Sequence, residues 1–99
     1  MITIIKCYDG FIVSGHANYA EKGKDIVCAA VSTLTETFID SWGKLTDEKI
    51  KVHKEAGDVR IEYEKERSDV AETLIRSFLI GVRGVRDAYP DHVQLDETS

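Results

Sequence analysis

Ile2-Thr3-Ile4-Ile5-Lys6-Cys7-Tyr8-Asp9-Gly10-Phe11-Ile12-Val13 is the stretch whose reading decides the fold. Residues rich in β-branched types lie on both sides of an Asp-Gly pair. Such a pair between two strand-like runs is a strong short-range hairpin signal, because the central residues of a two-residue turn must tolerate positive φ. The reading predicts two antiparallel strands, about residues 2–8 and 11–16, turning at Asp9-Gly10. A second hairpin is written further along. Ile50 and Val52 alternate with lysines and His53, Glu55-Ala56-Gly57-Asp58 reads as a turn, and Val59, Ile61 and Tyr63 alternate with Arg60, Glu62 and Glu64.

Outward from the hairpins the period changes. Gly15 to Lys24, with two glycines and several small or polar residues, reads as a loop. Asp25 then stands where a helix N-cap is needed, and Val27, Ala30, Val31, Leu34, Phe38 and Trp42 recur at three- and four-residue steps. The spacing predicts a helix to about Trp42, with Gly43 as its stop. Ser68 or Asp69 caps a second helix, whose buried face is Val70, Ala71, Leu74, Ile75, Phe78, Leu79, Val82 and Val85. Arg76, Arg83 and Arg86 lie mostly in its C-terminal half, where positive charge suits the helix dipole. His92-Val93-Gln94-Leu95 reads as a short final strand. The order β-β-α-β-β-α, with a further β at the end, is that of an α+β domain: a hairpin-built sheet packed with two helices. With 99 residues, 42% of them hydrophobic, the expectation is one domain over 1–99.

Composition bounds the function. No apolar run approaches the roughly 20 residues that span a bilayer. Met1-Ile2-Thr3-Ile4-Ile5-Lys6 lacks the basic and long apolar regions of a signal peptide, so a cytoplasmic protein without a membrane partner is expected. A net charge of −5 argues against direct nucleic-acid binding and is compatible with a basic protein partner. Two cysteines do not make a disulfide scaffold, and a Cys7–Cys28 bridge is not expected in a reducing compartment.

Chemistry gathers at one place. A thiol in the first turn of a helix feels the positive end of the helix dipole, which favours the nucleophilic thiolate; Cys28 falls there. His16, at the end of the second strand, is a candidate base, and Asp25, three residues before Cys28, can cap the helix and also orient that imidazole. Ser32, one turn beyond Cys28, can support the thiol or the substrate, or bond its own helix backbone. Each has a structural alternative: an unpaired helical cysteine is usually a small core residue, and a histidine at a strand end usually faces solvent. Cys7 reads as structural, His53 as solvated, and His92 carries no signal. His16, Asp25 and Cys28 are metal-ligand types, but no CxxC or HxxxH spacing accompanies them, so neither metal nor cofactor is expected.

The run Gly15-His16-Ala17, followed by Gly23-Lys24-Asp25-Ile26-Val27-Cys28-Ala29-Ala30-Val31-Ser32, closely resembles the ribosomal-processing cysteine proteases, the Prp family of Firmicutes and related bacteria. The resemblance extends over the whole chain in length and element order. It implies a cysteine endopeptidase with His16 and Cys28 as the catalytic pair, Asp25 and Ser32 at motif positions, and Gly15, Ala17, Gly23 and Ser32 facing the substrate. The implied substrate is the precursor of a basic large-subunit ribosomal protein, number twenty-seven, which loses a short N-terminal extension. The implied assembly is a homodimer. In this reading residues 17–24 are a flexible segment that closes over the peptide, and first-turn amides hold the oxyanion. Two other classes remain beside it. A non-enzymatic ribosome-associated binding or assembly module predicts binding that survives Cys28→Ala with no product. A thiol redox protein is disfavoured because no second cysteine lies near Cys28.

Overall fold

The computed structural model describes residues 1–21 and 23–97; Lys22, inside the predicted loop, and the last two residues of the predicted domain lie outside the described residues. Both predicted hairpins form. The first is built from β1 (Ile2–Cys7) and β2 (Gly10–Ser14), with Cys7 opposite Gly10, so the turn is Tyr8-Asp9 and not Asp9-Gly10. Neither turn residue has positive φ. Gly10 is needed for a different reason. It lies beside the backbone of β4 (Asp58–Tyr63), where a Cβ would stand 1.9 Å from the Ile61 carbonyl oxygen. The second hairpin joins β3 (Ile50–Glu55) to β4 through Ala56-Gly57, and Gly57 takes φ 75, which the second central residue of a type II turn requires.

The strands form one sheet in the order β3-β4-β2-β1-β5, with β5 (Val93–Asp96) parallel to β1 and the other pairs antiparallel. One face of the sheet presents Ile2, Ile4, Phe11, Val13, Ile61, Tyr63 and Val93, all buried. The two helices, α1 (Ile26–Leu45) and α2 (Asp69–Ala88), cover that face. Phe11 from the sheet meets Phe38 of α1 and Phe78 of α2 edge-on, with centroids 5.6 and 4.8 Å apart, a favourable aromatic geometry. Where the helices meet, Leu34 fits over Gly81, at which a Cβ would lie 2.7 Å from Leu34 Cδ2.

The helix boundaries correct two sequence expectations. α1 does not stop at Gly43 but continues to Leu45. Trp42 is fully buried and donates from Nε1 to the Glu48 carbonyl at 3.0 Å, while the Thr46 amide and hydroxyl both donate to the Trp42 carbonyl. These contacts hold the last turn in place, so a solvent-facing Gly43 is tolerated within it. α2 starts at the Ser68 cap, which accepts from the Ala71 amide at 3.2 Å and is itself bonded to Glu48. Val70 lies in its first turn but points outward, 49% exposed, so it is not part of the buried face. No described helix is long and apolar enough to cross a membrane.

Candidate functional site

Gly15 follows β2 with φ 91, and its amide donates to the Gly57 carbonyl at 2.8 Å. A Cβ there would be 2.3 Å from the Met1 carbonyl oxygen, so only glycine lets the chain leave the sheet at this point. His16 follows, exposed, with its ring over Gly57: a Cβ added to Gly57 would meet His16 Nε2 at 3.3 Å. Ala17 then turns inward and is buried.

The other wall is the start of α1. Asp25 is the N-cap, and its Oδ1 accepts the amides of Val27 and Cys28 at 3.0 and 2.9 Å. Its Oδ2 accepts the amide of Tyr19 at 3.0 Å and that of Ala20 at 3.5 Å. The Cys28 amide holds the Asp25 carboxyl below its usual range; partial burial opposes this, and the Tyr19 and Ala20 amides and the Cys28 side chain assist it. Cys28 is the third residue of the helix, within its first turn, and half-buried. Its Sγ accepts the Ala17 amide at 3.3 Å.

Two clefts meet here. One, of about 570 Å³, is lined by Asn18, Ala20, Gly23, Asp25 and Ala29; the other, of about 240 Å³, by Gly15, Val31, Glu55, Gly57 and Asp58. His16, Cys28 and Ser32 line both. A chain crossing the thiol would thus find room on either side of the bond it presents. That is what internal cleavage of a peptide requires.

The structure therefore brings His16, Cys28, Asp25 and Ser32 to one place, with Gly15 and Gly23 on the cleft walls. Among the described residues no hydrogen bond joins His16 to Cys28 or to Asp25, whose oxygens face backbone amides instead. The Val27 and Cys28 amides expected to hold an oxyanion are already bonded to Asp25. The segment after His16 is also less free than expected, being tied down at Ala17, Tyr19 and Ala20. Ala17 reaches the site through its amide and carbonyl rather than by an exposed side chain. One contributor escaped the sequence reading altogether: His92 Nδ1 lies 2.9 Å from the Ala17 carbonyl oxygen. Nothing local in the tail marks it. Both cysteines are free, Cys7 lying on the face of the sheet away from the helices. Among the described residues no three His, Cys, Asp or Glu side chains are grouped as a metal ion would need.

The sequence profile of the cysteine protease Prp family matches residues 1–94. The chain belongs to the Prp family. It is a cysteine endopeptidase by that membership. The ribosomal processing cysteine protease Prp of Staphylococcus aureus is 26% identical over 87 residues, covering 86% of this chain and 82% of that one. The Prp of Mycoplasma genitalium is 27% identical over 99 residues, 100% of this chain and 98% of its own. The crystal structure of S. aureus Prp with a covalently linked product peptide superposes with a TM-score of 0.92 at 24% identity, over 99% of this chain and 100% of that one. This last likeness concerns the fold, and it extends to every element of the sheet and both helices.

Proposed function

We propose that this Prp-family endopeptidase removes the short N-terminal extension of the precursor of a basic large-subunit ribosomal protein, number twenty-seven, working in the cytoplasm as a homodimer. The observation that carries the reading is Cys28 in the first turn of α1, its sulfur at the junction of two clefts that it shares with His16. The curated relatives in S. aureus and M. genitalium bear the name ribosomal processing cysteine protease, which supports the substrate class. Glu55 and Asp58 on the wall of the smaller cleft suit a basic peptide.

In this mechanism the Cys28 sulfur attacks the scissile carbonyl carbon while His16 takes the thiol proton. The new C–S bond makes a tetrahedral oxyanion, and His16 then returns the proton to the leaving amine as the C–N bond breaks. Water, activated by His16, hydrolyses the thioester and restores the thiol. The Ala17 amide, already aimed at Sγ, serves the developing oxyanion two bonds further out. Asp25 acts by building the helix start and holding the Tyr19–Ala20 backbone beside it. The hydrogen bond that the Cys28 thiol donates to His16 forms as the peptide fills the clefts, as catalytic contacts commonly tighten in the substrate complex.

The test is incubation of the purified chain with the precursor, beside its Cys28→Ala and His16→Ala variants. Loss of a discrete N-terminal fragment with either variant is the expected result. Full cleavage by either one would sink the assigned roles, and binding without any cleavage by the wild type would favour a non-enzymatic assembly role.

A further inference from the structure

Ala17 is gripped from two sides. Its amide donates to Cys28 Sγ at 3.3 Å, and its carbonyl faces His92 Nδ1 at 2.9 Å. A carbonyl oxygen can only accept, so the imidazole donates from Nδ1, which both the neutral Nδ1–H tautomer and the imidazolium can do. His92 is itself fixed by its backbone: its amide donates to the Tyr89 carbonyl at 3.0 Å and its carbonyl accepts the Ile2 amide at 2.9 Å. Its ring also meets Tyr19 edge-on at 5.3 Å, and Tyr19 touches Tyr89 at the same distance. The half-buried imidazole is thus a rigid donor on a rigid support, 75 residues from the carbonyl it holds.

We propose that His92 is a positioning residue for the cleavage reaction, its Nδ1–H holding the Ala17 backbone so that the Ala17 amide points at the Cys28 sulfur and at the oxyanion formed there. The proposal rests on the protease reading given above. Residue 17 follows a strand and its exit glycine and precedes Asn18, whose φ of 54 is a conformation that most side chains avoid. A backbone leaving a strand through such a kink has no ladder partner to fix its carbonyl, and a buried carbonyl needs a donor. His92 supplies that donor. Rotation of Ala17 away from His92 would swing its amide off the sulfur. A misplacement of about 1 Å can cost roughly a hundredfold in rate, and loss of one oxyanion donor costs about as much or more.

Two variants separate the donor from the ring. His92→Phe keeps an aromatic ring against Tyr19 and removes the donor. His92→Asn removes the ring and sets an amide N–H close to where Nδ1 stood. Both are made in a Cys7→Ser background, so that Cys28 is the one thiol. Three quantities are read: iodoacetamide alkylation rate at pH 7, kcat and KM on the precursor, and Tm. The expected result is a tenfold or larger fall in kcat for His92→Phe, slower alkylation, KM within twofold and little change in Tm, with His92→Asn within about threefold of the parent. The proposal is overturned if His92→Phe matches the parent in kcat and alkylation, if it changes KM alone, or if His92→Asn is impaired equally. Should His92→Phe fail to fold, His92→Asn decides: a near-parental rate supports the role of the donor, and a tenfold loss overturns it. Alkylation needs no substrate. A parent that cuts no precursor would sink the protease reading, while the alkylation comparison would still judge His92.

Discussion

Gly57 is the floor under His16, and replacing it with alanine tests the candidate base without touching it. Two effects are expected, and the structure separates them. At φ 75 an L-residue pays for a left-handed backbone, about 1 kcal/mol or somewhat more, which in a domain of this size lowers Tm by roughly 4–8 °C. The second effect is contact. A Cβ 3.3 Å from Nε2 is tighter than ordinary van der Waals distance, so the exposed imidazole moves outward by a few tenths of an ångström. If about 1 Å of misplacement costs about a hundredfold, a shift of that size costs roughly fivefold in kcat. Gly57→Asn serves as the control, because asparagine tolerates positive φ better than alanine but carries the same Cβ. It should recover part of the lost Tm and none of the lost rate. Steady-state cleavage at precursor concentrations well above KM and thermal melting read the two effects independently. An unchanged kcat in Gly57→Ala, with the melting loss present, would refute the placement of His16 as the base over this turn.

Gly10→Ala and Gly10→Asn should both destabilise by about 2 kcal/mol or more, because either Cβ meets the Ile61 carbonyl at 1.9 Å and β2 must part from β4; a tolerated asparagine in chemical denaturation would restore the turn role that the Asp-Gly pair first suggested. Burial pushes Tyr63 up to about 12, with nearby Arg67 opposing, so the folded state favours the neutral phenol. Its contribution is complete below the unfolded value near 10 and is lost as pH rises through 12, a difference of about 2–3 kcal/mol that Tyr63→Phe should remove from a pH 10–12 stability curve. Asp25 shifts the other way. Its lowered carboxyl stabilises the fold above the ordinary value of 3.8 and ceases to do so as pH falls through the folded value, so Asp25→Asn should flatten the acid limb of Tm against pH; parallel curves would contradict the amide cradle.

What could be read from the sequence was what depends on near neighbours. Both hairpins and both helices follow from period and cap residues, and Asp25 and Ser68 cap where their side chains predict. The misreadings are of another kind. Gly10 looked like a turn residue because Asp-Gly usually is one, yet its glycine answers to Ile61, which lies on another hairpin. Gly43 looked like a stop, and contacts of Trp42 with Glu48 and Thr46 carried the helix past it. At the site, the convergence of His16, Asp25 and Cys28 on one cleft was legible because a strand end, a cap and a first helical turn are local features. The occupancy of Asp25 by the Tyr19 and Ala20 amides was not, since it depends on how the loop folds back.

His92 was the least legible because its part follows from sheet topology. β2 runs antiparallel to β1, with Ser14 opposite Thr3, so β2 ends where β1 begins. β4 begins at that same end, with Asp58 opposite Ser14, which places the Gly57 turn there too. α1 starts nearby, since the Ala17 amide reaches Cys28. A final strand antiparallel to β1 would put the α2–β5 connection at the far end of the sheet, away from all of these. β5 is parallel, with Val93 opposite Ile2, so the residue before it, His92, arrives beside the start of β1 and the exit of β2. α2 supplies the long return that a parallel edge strand requires. The last strand thus closes the edge of the core and delivers a donor to the Ala17 carbonyl, at a point where the chain has left the sheet and has no ladder partner.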